Sequence, residues 1–407
     1  MTCLGLIIAL SSCTKETTIY SQAPERVQDK VVVNTDPNKS ATELIEAAEQ
    51  LFGPYTFMLT HKMATHALEK DPTLFKAQFY YYLTKKFEAF RGVFYKIDPV
   101  LTAKEKANFN KFLNKDLPNS PIKAFLTEKI GPQFKTRSEV QSVMTEYFNS
   151  TAEFYRFIKK NETQALELNV NPYVFEKQIK DRMKDSCKVT ETDGQYEFIC
   201  DISEIATVKL NMADFIGMRA IAAGEILYGI LQTSYSLDGI DKLDLDENKN
   251  LTSKQKTELL FSNPKFGKLL PKNLLGMVKE IGSDMSAASK WAMQHQNEIC
   301  KPRPGYLYDS GLCTKNNDET QKMLVFLDSS LGGQLIDVDL KVSDNPEQKE
   351  SVKLDLFKIF ENPIQDLRQI KPINWQCDKA TSFSDNTIGG LFVENNANRY
   401  LLETRCN

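Results

Sequence analysis

Residues 73–96 read TLFKAQFYYYLTKKFEAFRGVFYK, and aromatic side chains recur in this stretch at intervals of three to five residues. This interval matches one face of an α-helix, which turns once in about 3.6 residues. The stretch therefore predicts one helix from about Thr73 to Lys96. Its stripe is more typical of a packing face than of a ligand site. The stripe consists of Phe75, Phe79, Tyr82, Phe87, Phe90 and Phe94.

Helix boundary signals flank this stretch on both sides. Asp71-Pro72 ends a preceding helix that begins near Tyr55, and Gly53-Pro54 ends the helix before that one. Three segments match the capping box, in which a Ser or Thr hydroxyl and a Glu side chain satisfy each other's backbone N–H groups. They are Ser40-x-x-Glu43, Thr102-x-x-Glu105 and Thr136-x-x-Glu139. The chain is therefore predicted to be mainly α.

Ala67-Leu68-Glu69-Lys70-Asp71-Pro72 resembles the end of a tetratricopeptide (TPR) unit. The similarity covers about 35 residues. The next Asp-Pro pair, Asp98-Pro99, follows after 27 residues, rather than the family's repeat of about 34. We therefore expect residues 41–320 to form a degenerate helical-hairpin array or an irregular bundle. The resemblance implies a groove for a protein or peptide partner.

Residues 187–200 read CKVTETDGQYEFIC and are centred on Asp193-Gly194. Asp-Gly is typical of a two-residue type I′ hairpin turn. Counting outward from this turn places Cys187 opposite Cys200 at a non-hydrogen-bonded pair, where the Cα atoms lie about 4.5 Å apart. This separation is within the disulfide range. The stretch therefore predicts a hairpin closed by a disulfide.

The chain has eight cysteines, and two of them, Cys3 and Cys13, lie near its start. The order of the other six favours three local disulfides, as in exported proteins. The second pair, Cys300–Cys313, is predicted from a compact Pro/Gly loop. The third pair, Cys377–Cys406, is predicted by elimination and from a closing hairpin. Zinc is less favoured, because no C-x-x-C or C-x-x-H spacing occurs. The predicted pairs are Cys187–Cys200, Cys300–Cys313 and Cys377–Cys406.

Two further regions have recognisable patterns. Residues 203–236 predict one or two buried helices, whose charged residues Asp214, Arg219 and Glu225 argue against membrane insertion. Apolar residues alternate with polar ones over residues 336–342 and 352–356, which is the period of half-buried strands. Residues 321–407 are therefore expected to form a β-rich domain or cap. Leu391–Val393 and Tyr400–Leu402 are expected to form its closing hairpin.

Leu10-Ser11-Ser12-Cys13 follows a short apolar run and resembles the lipobox of bacterial lipoproteins. The resemblance implies that residues 1–12 are a signal peptide and that Cys13 carries the lipid. In lipoproteins, aspartate directly after the lipid-bearing cysteine resembles the signal for retention in the inner membrane. Thr14 occupies this position here, so we expect the protein to be anchored in the outer membrane, facing the periplasm. Residues 13–40 are expected to be a flexible tether, or alternatively to add an edge strand through Val31-Val32-Val33.

The loop from Asp244 to Thr252 places oxygen donors at alternate positions, in Asp244, Asp246 and Asn248, and resembles an EF-hand calcium loop. Lys249 stands where that family has glycine, and Gln255 where it has the bidentate glutamate. The alternative is a polar turn before a helix capped by Thr252-x-x-Gln255.

Charge and motif content narrow the classes of function. The net charge is −3, without a long block of one sign, so no nucleic-acid partner is expected. His61 and His66 lie five residues apart on one predicted helix and point in different directions, and His295 is alone, so no metal or other cofactor is expected. The sequence contains no catalytic motif that we recognise, and no enzymatic activity is expected.

These observations favour a lipid-anchored, non-enzymatic protein of the cell envelope that binds a protein or peptide. A first alternative is a lipoprotein that binds a small ligand in an apolar pocket among the aromatic helices. A second, less favoured alternative is an envelope hydrolase in which two carboxylates converge in a polar cleft.

Overall fold

The computed structural model describes residues 30–33, 38–53, 56–116, 121–170, 187–192, 195–201, 206–244, 248, 250–295, 317–341, 349–376 and 379–394. In these residues the chain is mainly helical, with small antiparallel sheets. It divides into two compact units. Unit 1 comprises Met1–Pro132, Ser150–Ala222 and Gln294–Cys313, and unit 2 comprises Gln133–Asn149, Ala223–Met293 and Thr314–Asn407.

Unit 1 contains six helices that lie wholly within it in the described residues: α1 (Ala41–Leu51), α2 (Phe57–Lys70), α3 (Phe75–Lys85), α4 (Val93–Ile97), α5 (Ala103–Lys111) and α6 (Pro121–Thr127). The boundaries between the units fall within α7 (Val140–Asn161) and α8 (Met212–Ser234). Its strands are β1 (Lys30–Val33), β2 (Leu166–Val170), β3 (Cys187–Thr192), β4 (Gln195–Asp201) and β5 (Ala206–Leu210).

Unit 2 contains α9 (Ser253–Phe261), α10 (Met277–Gln294), whose last residue is assigned to unit 1, α11 (Asn317–Leu331) and the short α12 (Lys358–Glu361). Its described strands form two hairpins, β6 (Ile336–Lys341) with β7 (Lys349–Leu354) and β8 (Pro372–Gln376) with β9 (Lys379–Phe383).

Two of the three predicted capping boxes at the first helices are confirmed. The hydroxyls of Ser40 and Thr102 accept the N–H groups of Glu43 and Glu105, whose carboxylates accept the cap N–H groups in return. The box predicted at Thr136 is wrong, because the carboxylate of Glu139 accepts the N–H of Lys135 instead. The chain accordingly enters α7 through a 3₁₀ turn.

The single helix predicted over residues 73–96 is also wrong, although its aromatic stripe packs as expected. Helix α3 ends at Lys85, and a 3₁₀ turn over Lys86–Phe90 leads to Gly92 at φ +64°. The N–H of Gly92 donates to the carbonyl of Phe125 at 2.8 Å. A Cβ at Gly92 would lie 2.5 Å from the carbonyl oxygen of Glu128. A distant segment therefore sets this break.

Aromatic residues form much of the core of unit 1. Phe79 of α3 is fully buried, and its ring lies 6.5 Å from that of Phe154 and 6.3 Å from that of Phe215. These contacts join α3, α7 and α8 within the unit. Phe90 and Phe94 are also buried. The packing role predicted for these stripe residues is confirmed.

The hairpin predicted at residues 187–200 is confirmed in its register. Strands β3 and β4 pair antiparallel, with Thr192 opposite Gln195 and Cys187 opposite Cys200. Strand β1 adds to the other edge of β4, giving the sheet order β1-β4-β3. Of the two interpretations given for this segment, a flexible tether or an edge strand at Val31–Val33, the structure therefore shows the edge strand.

A second sheet changes the interpretation of residues 203–236. Residues 206–210 are strand β5 and pair with β2, so the helix predicted there begins only at Met212. Asn211 caps this helix: its side chain accepts the N–H of Ala213, and Asp214 accepts the N–H of Asn211 in return.

In the C-terminal part, strands were predicted correctly for β6 and β7, which pair from Ile336–Leu354 to Lys341–Lys349. Phe392 forms a bridge with Leu354 beside them. The predicted partner segment Tyr400–Leu402 lies outside the described residues. The β8–β9 hairpin was not predicted.

Unit 2 contains a three-segment junction, formed by residues 234–237, 267–270 and 365–368. Backbone bonds of 2.8–2.9 Å join them, from Gly267 N–H to the Ser236 carbonyl and from Leu269 N–H to the Gln365 carbonyl, among others. The Arg368 guanidinium donates to the carbonyls of Phe261, Asn263 and Phe266, and its central carbon lies 5.5 Å from the centre of the Phe261 ring. Arg368 therefore caps the carboxyl end of α9.

Candidate functional site

A continuous row of rings crosses α2, α3 and α7 in unit 1. We name His61, Tyr81, Tyr82, Phe157 and Phe75 the aromatic row. Neighbouring rings in this order have centroids 5.2, 5.3, 4.8 and 5.8 Å apart. All contacts are stacked except the edge contact between the two tyrosines. Phe157 is 8% exposed, whereas the other four members are partly exposed. The row is therefore attached to the core and reaches the surface.

The α2–α3 hairpin places His61 at one end of the row. Its Nδ1 lies 3.0 Å from the hydroxyl of Thr84, and this hydroxyl donates to the carbonyl of Tyr80 at 2.6 Å. Since a hydroxyl has one proton, Thr84 accepts from His61, which places the imidazole proton on Nδ1. Burial lowers the pKa of His61 to about 4, and the nearby Lys85 acts in the same direction. The ring is neutral at physiological pH.

One ion pair lies beside the row. Lys85 pairs with Glu153 of α7, and its ammonium group stands 5.6 Å from the centre of the Tyr81 ring. This distance is within the range of a cation–π contact. The row thus combines aromatic surface, a neutral imidazole and a charge pair. This combination is suited to contact with apolar and polar groups of a peptide.

A buried carboxylate lies elsewhere in unit 1 and was not predicted from the sequence. Glu49 of α1 is 1% exposed. Lys76 lies 3.0 Å from its Oε1, and Tyr80 donates to the same oxygen at 3.3 Å. Burial raises the pKa of Glu49, while Lys76, the N–H of Asn169 and Tyr80 oppose this shift. In the sequence, the burial of Glu49 is indicated only by its position four residues after Ile45, which is itself buried.

The other predicted site residues have the following places. Cys187 and Cys200 lie opposite each other in the strands, as described. The remaining cysteines of the predicted site lie outside the described residues: Cys13, Cys300, Cys313, Cys377 and Cys406. His66 lies on α2 with His61, and His295 follows the end of α10. The described residues contain no group of three metal-binding side chains.

The loop that resembles a calcium site leads into a capped helix, as the alternative interpretation of a polar turn predicted. Thr252 and Gln255 form a capping box, so the amide oxygen of Gln255 accepts the Thr252 N–H. Asn248 donates its side-chain amide to the carbonyl of Lys242 at 2.8 Å. The side chain of Asp244 and all of Asp246 lie outside the described residues. Asn248 therefore closes part of the loop, and Thr252 and Gln255 cap the helix that follows it.

No described helix has both the length and the apolar character needed to cross a bilayer. Comparisons of the chain with protein-family models, with curated protein sequences and with solved structures give no match. The aromatic row of unit 1 is thus the candidate site that the chain itself presents.

Proposed function

We propose that this chain is a lipid-anchored protein of the cell envelope that binds a protein or peptide through the aromatic row. The observation that carries the proposal is the position of the row, which is held by the core and partly exposed. Tyrosine and other aromatic residues are enriched at protein interfaces, because they bury a large area at a low cost in side-chain entropy. The bound segment replaces water along these rings without a catalytic step.

The helical hairpins support the same proposal. Helix α1 packs on α2, and α2 packs on α3, as successive units do in helical-hairpin arrays. We propose that this region is a degenerate TPR-like array. The lipid on Cys13 would hold it at the outer membrane, facing the periplasm. The disulfides Cys187–Cys200, Cys300–Cys313 and Cys377–Cys406 would form in that oxidising compartment.

Site-specific photocrosslinking tests the binding surface. A benzophenone amino acid replaces Tyr81, which preserves an aromatic ring, and in a matched variant it replaces the exposed Lys104 of α5. Irradiation of intact cells is followed by identification of crosslinked peptides. We expect a defined partner peptide from position 81 and not from position 104. Equal capture at both positions, or none at position 81, would contradict the proposal.

The anchor has a separate test. Cys13→Ser removes the acceptor of the lipid, so we expect the protein to leave the detergent phase on phase partitioning. Membrane retention of this variant equal to that of the unchanged chain would exclude Cys13 as the anchor. Loss of the anchor leaves the aromatic row intact, so the two tests fail independently.

A further inference from the structure

Strand β1 docks on one particular end of the β3–β4 hairpin. The turn joins Thr192 to Gln195, and the opposite, open end is the pair Cys187–Cys200. All four residues of β1 pair with the segment Phe198–Asp201, at this open end. The acceptor edge for β1 is therefore the part of β4 farthest from the turn.

The open end of a hairpin is its weakest part. A two-stranded hairpin is marginally stable in water, and its turn restrains only the adjacent residues. Strand β1 can form its backbone hydrogen bonds only while Phe198–Asp201 is itself extended. Fraying of the hairpin at this end therefore removes the docking edge, and β1 opens with it.

The two cysteines lie on the rung where fraying would begin. Val31 pairs with Cys200, and Cys200 pairs with Cys187, so these three residues form one rung across the sheet. Opposed residues of an antiparallel pair lie within disulfide reach. A covalent bond at this rung would close the hairpin at the end opposite the turn.

We propose that the Cys187–Cys200 rung is a redox-sensitive clamp on strand β1. On oxidation the two thiols lose two protons and two electrons and form one S–S bond. A disulfide of a thiol–disulfide exchange protein takes up these protons and electrons and is reduced to two thiols. The oxidised rung fixes the edge on which β1 docks, and reduction releases it.

The clamp has a consequence that rests on the proposed lipid anchor. With β1 docked, Lys30 is the first described residue after Cys13 that is paired in a sheet. With β1 released, the next described element along the chain is α1, whose capping box begins at Ser40. The residues added can span up to about 35 Å when extended. The redox state of one rung thereby sets how far the anchored protein can reach.

Hydrogen exchange on the purified full chain tests the clamp without reference to the membrane. The chain is oxidised with glutathione disulfide or reduced with a phosphine, and exchange is followed by mass spectrometry in peptides that cover Lys30–Val33. We expect reduction to accelerate exchange in β1 by about tenfold or more, because the open end of the hairpin is then held by hydrogen bonds alone. Exchange in residues 150–161 of α7, which belong to unit 1, should stay unchanged, and this would show that unit 1 remains folded.

Two matched variants make the test specific. The double variant Cys187→Ser/Cys200→Ser should exchange in β1 like the reduced chain under both conditions. The double variant Cys300→Ser/Cys313→Ser should respond to reduction like the unchanged chain. Equal β1 exchange in the oxidised and reduced chains would overturn the proposal, as would peptide mapping that links Cys187 to another cysteine. Neither result would bear on Cys13 or on the aromatic row.

Discussion

The two units each bury a tyrosine hydroxyl that donates to a glutamate, but they hold their segments together differently. In unit 1 Tyr80 donates to Glu49 at 3.3 Å, and ring contacts such as that of Tyr82 with Phe157 join the helices. In unit 2 Tyr147 donates to Glu225 at 3.1 Å, and backbone hydrogen bonds and Arg368 join segments distant in the chain. Side-chain periodicity predicts the aromatic stripe that supplies rings to the first arrangement, but it predicts neither the Tyr80–Glu49 pair nor the joined segments of unit 2.

The largest expected effect is on the buried carboxylate of unit 1. The Glu49 side chain is 1% exposed and that of Lys76 25%, so Lys76→Met leaves a buried negative charge without its counter-ion. We expect the free energy of unfolding to fall by about 4 kcal/mol, as for other broken buried pairs. The double variant Lys76→Met/Glu49→Gln should recover most of this loss in urea denaturation. A double variant no more stable than the single one would show that Lys76 acts through packing.

The corresponding test in unit 2 concerns the contact of α7 with α8. A Cβ at Gly229 would lie 2.1 Å from the ring of Phe148. Because helix or ring must move to admit a methyl group, we expect Gly229→Ala to lower the free energy of unfolding by about 3 kcal/mol.

Gly224, on the same helix and in the same unit, provides the control. A Cβ there would have no neighbour within 4 Å. Gly224→Ala should therefore raise stability by about 0.5 kcal/mol, through the better helix propensity of alanine. Equal effects of the two substitutions would mean that α7 and α8 do not meet at Gly229.

The pH dependence of stability should report on the aromatic row. Unfolded His61 takes up a proton near its ordinary pKa of 6.5, whereas burial lowers the folded pKa to about 4. The unfolded state binds more protons between these values, so stability present above pH 6.5 is lost as pH falls through about 4. The shift corresponds to about 3 kcal/mol. Denaturation of the unchanged chain and of His61→Gln between pH 7 and pH 4 measures it, and parallel curves would contradict it.

Arg368 tests the three-segment junction. Its guanidinium donates to three carbonyls from a planar, forked set of N–H groups. Lysine has a single ammonium group and cannot donate to all three in this geometry. We expect Arg368→Lys to cost about 2 kcal/mol. Arg91 is the control, because its bidentate pair with Glu128 is 41% exposed on the arginine side. Arg91→Lys should cost less than about 1 kcal/mol. A similar cost for both would mean that the junction does not depend on Arg368.

The errors of sequence-based prediction have a physical pattern. Most signals that act within a few residues were predictive, as for the capping box at Ser40 and the Cys187–Cys200 register. The box at Thr136 is the exception, because Glu139 accepts the N–H of Lys135 instead. The helix over residues 73–96 was interrupted because Gly92 bonds to the distant carbonyl of Phe125. The junction around Arg368 depends on backbone groups, which are the same in every residue and leave no pattern in the sequence.

The candidate site divides in the same way. The aromatic stripe could be predicted as a packing face from the spacing of its rings, although its members lie on α3, on a 3₁₀ turn and on α4. That Tyr82 stacks on Phe157 could not, since this contact depends on how α3 meets α7. Glu49 was missed because a charged residue at the edge of an apolar stripe has the pattern of a solvated one. Its partners, which are Lys76, Tyr80 and the N–H of Asn169, lie far away in the chain and account for its burial.

The two helix caps should show small effects that are equal in the two units. Thr102 in unit 1 and Thr252 in unit 2 form capping boxes of the same geometry, each accepting an N–H at 3.3 Å. Both boxes lie on exposed helix ends, so their contribution depends on the local backbone and little on the packing of either unit. We expect Thr102→Ala and Thr252→Ala each to cost about 1 kcal/mol. Loss of helix-end protection in hydrogen exchange provides a second readout. If one cap cost several times more than the other, its helix end would be coupled to the packing of its unit. The contrast between the units would then extend to interactions that we regard as local.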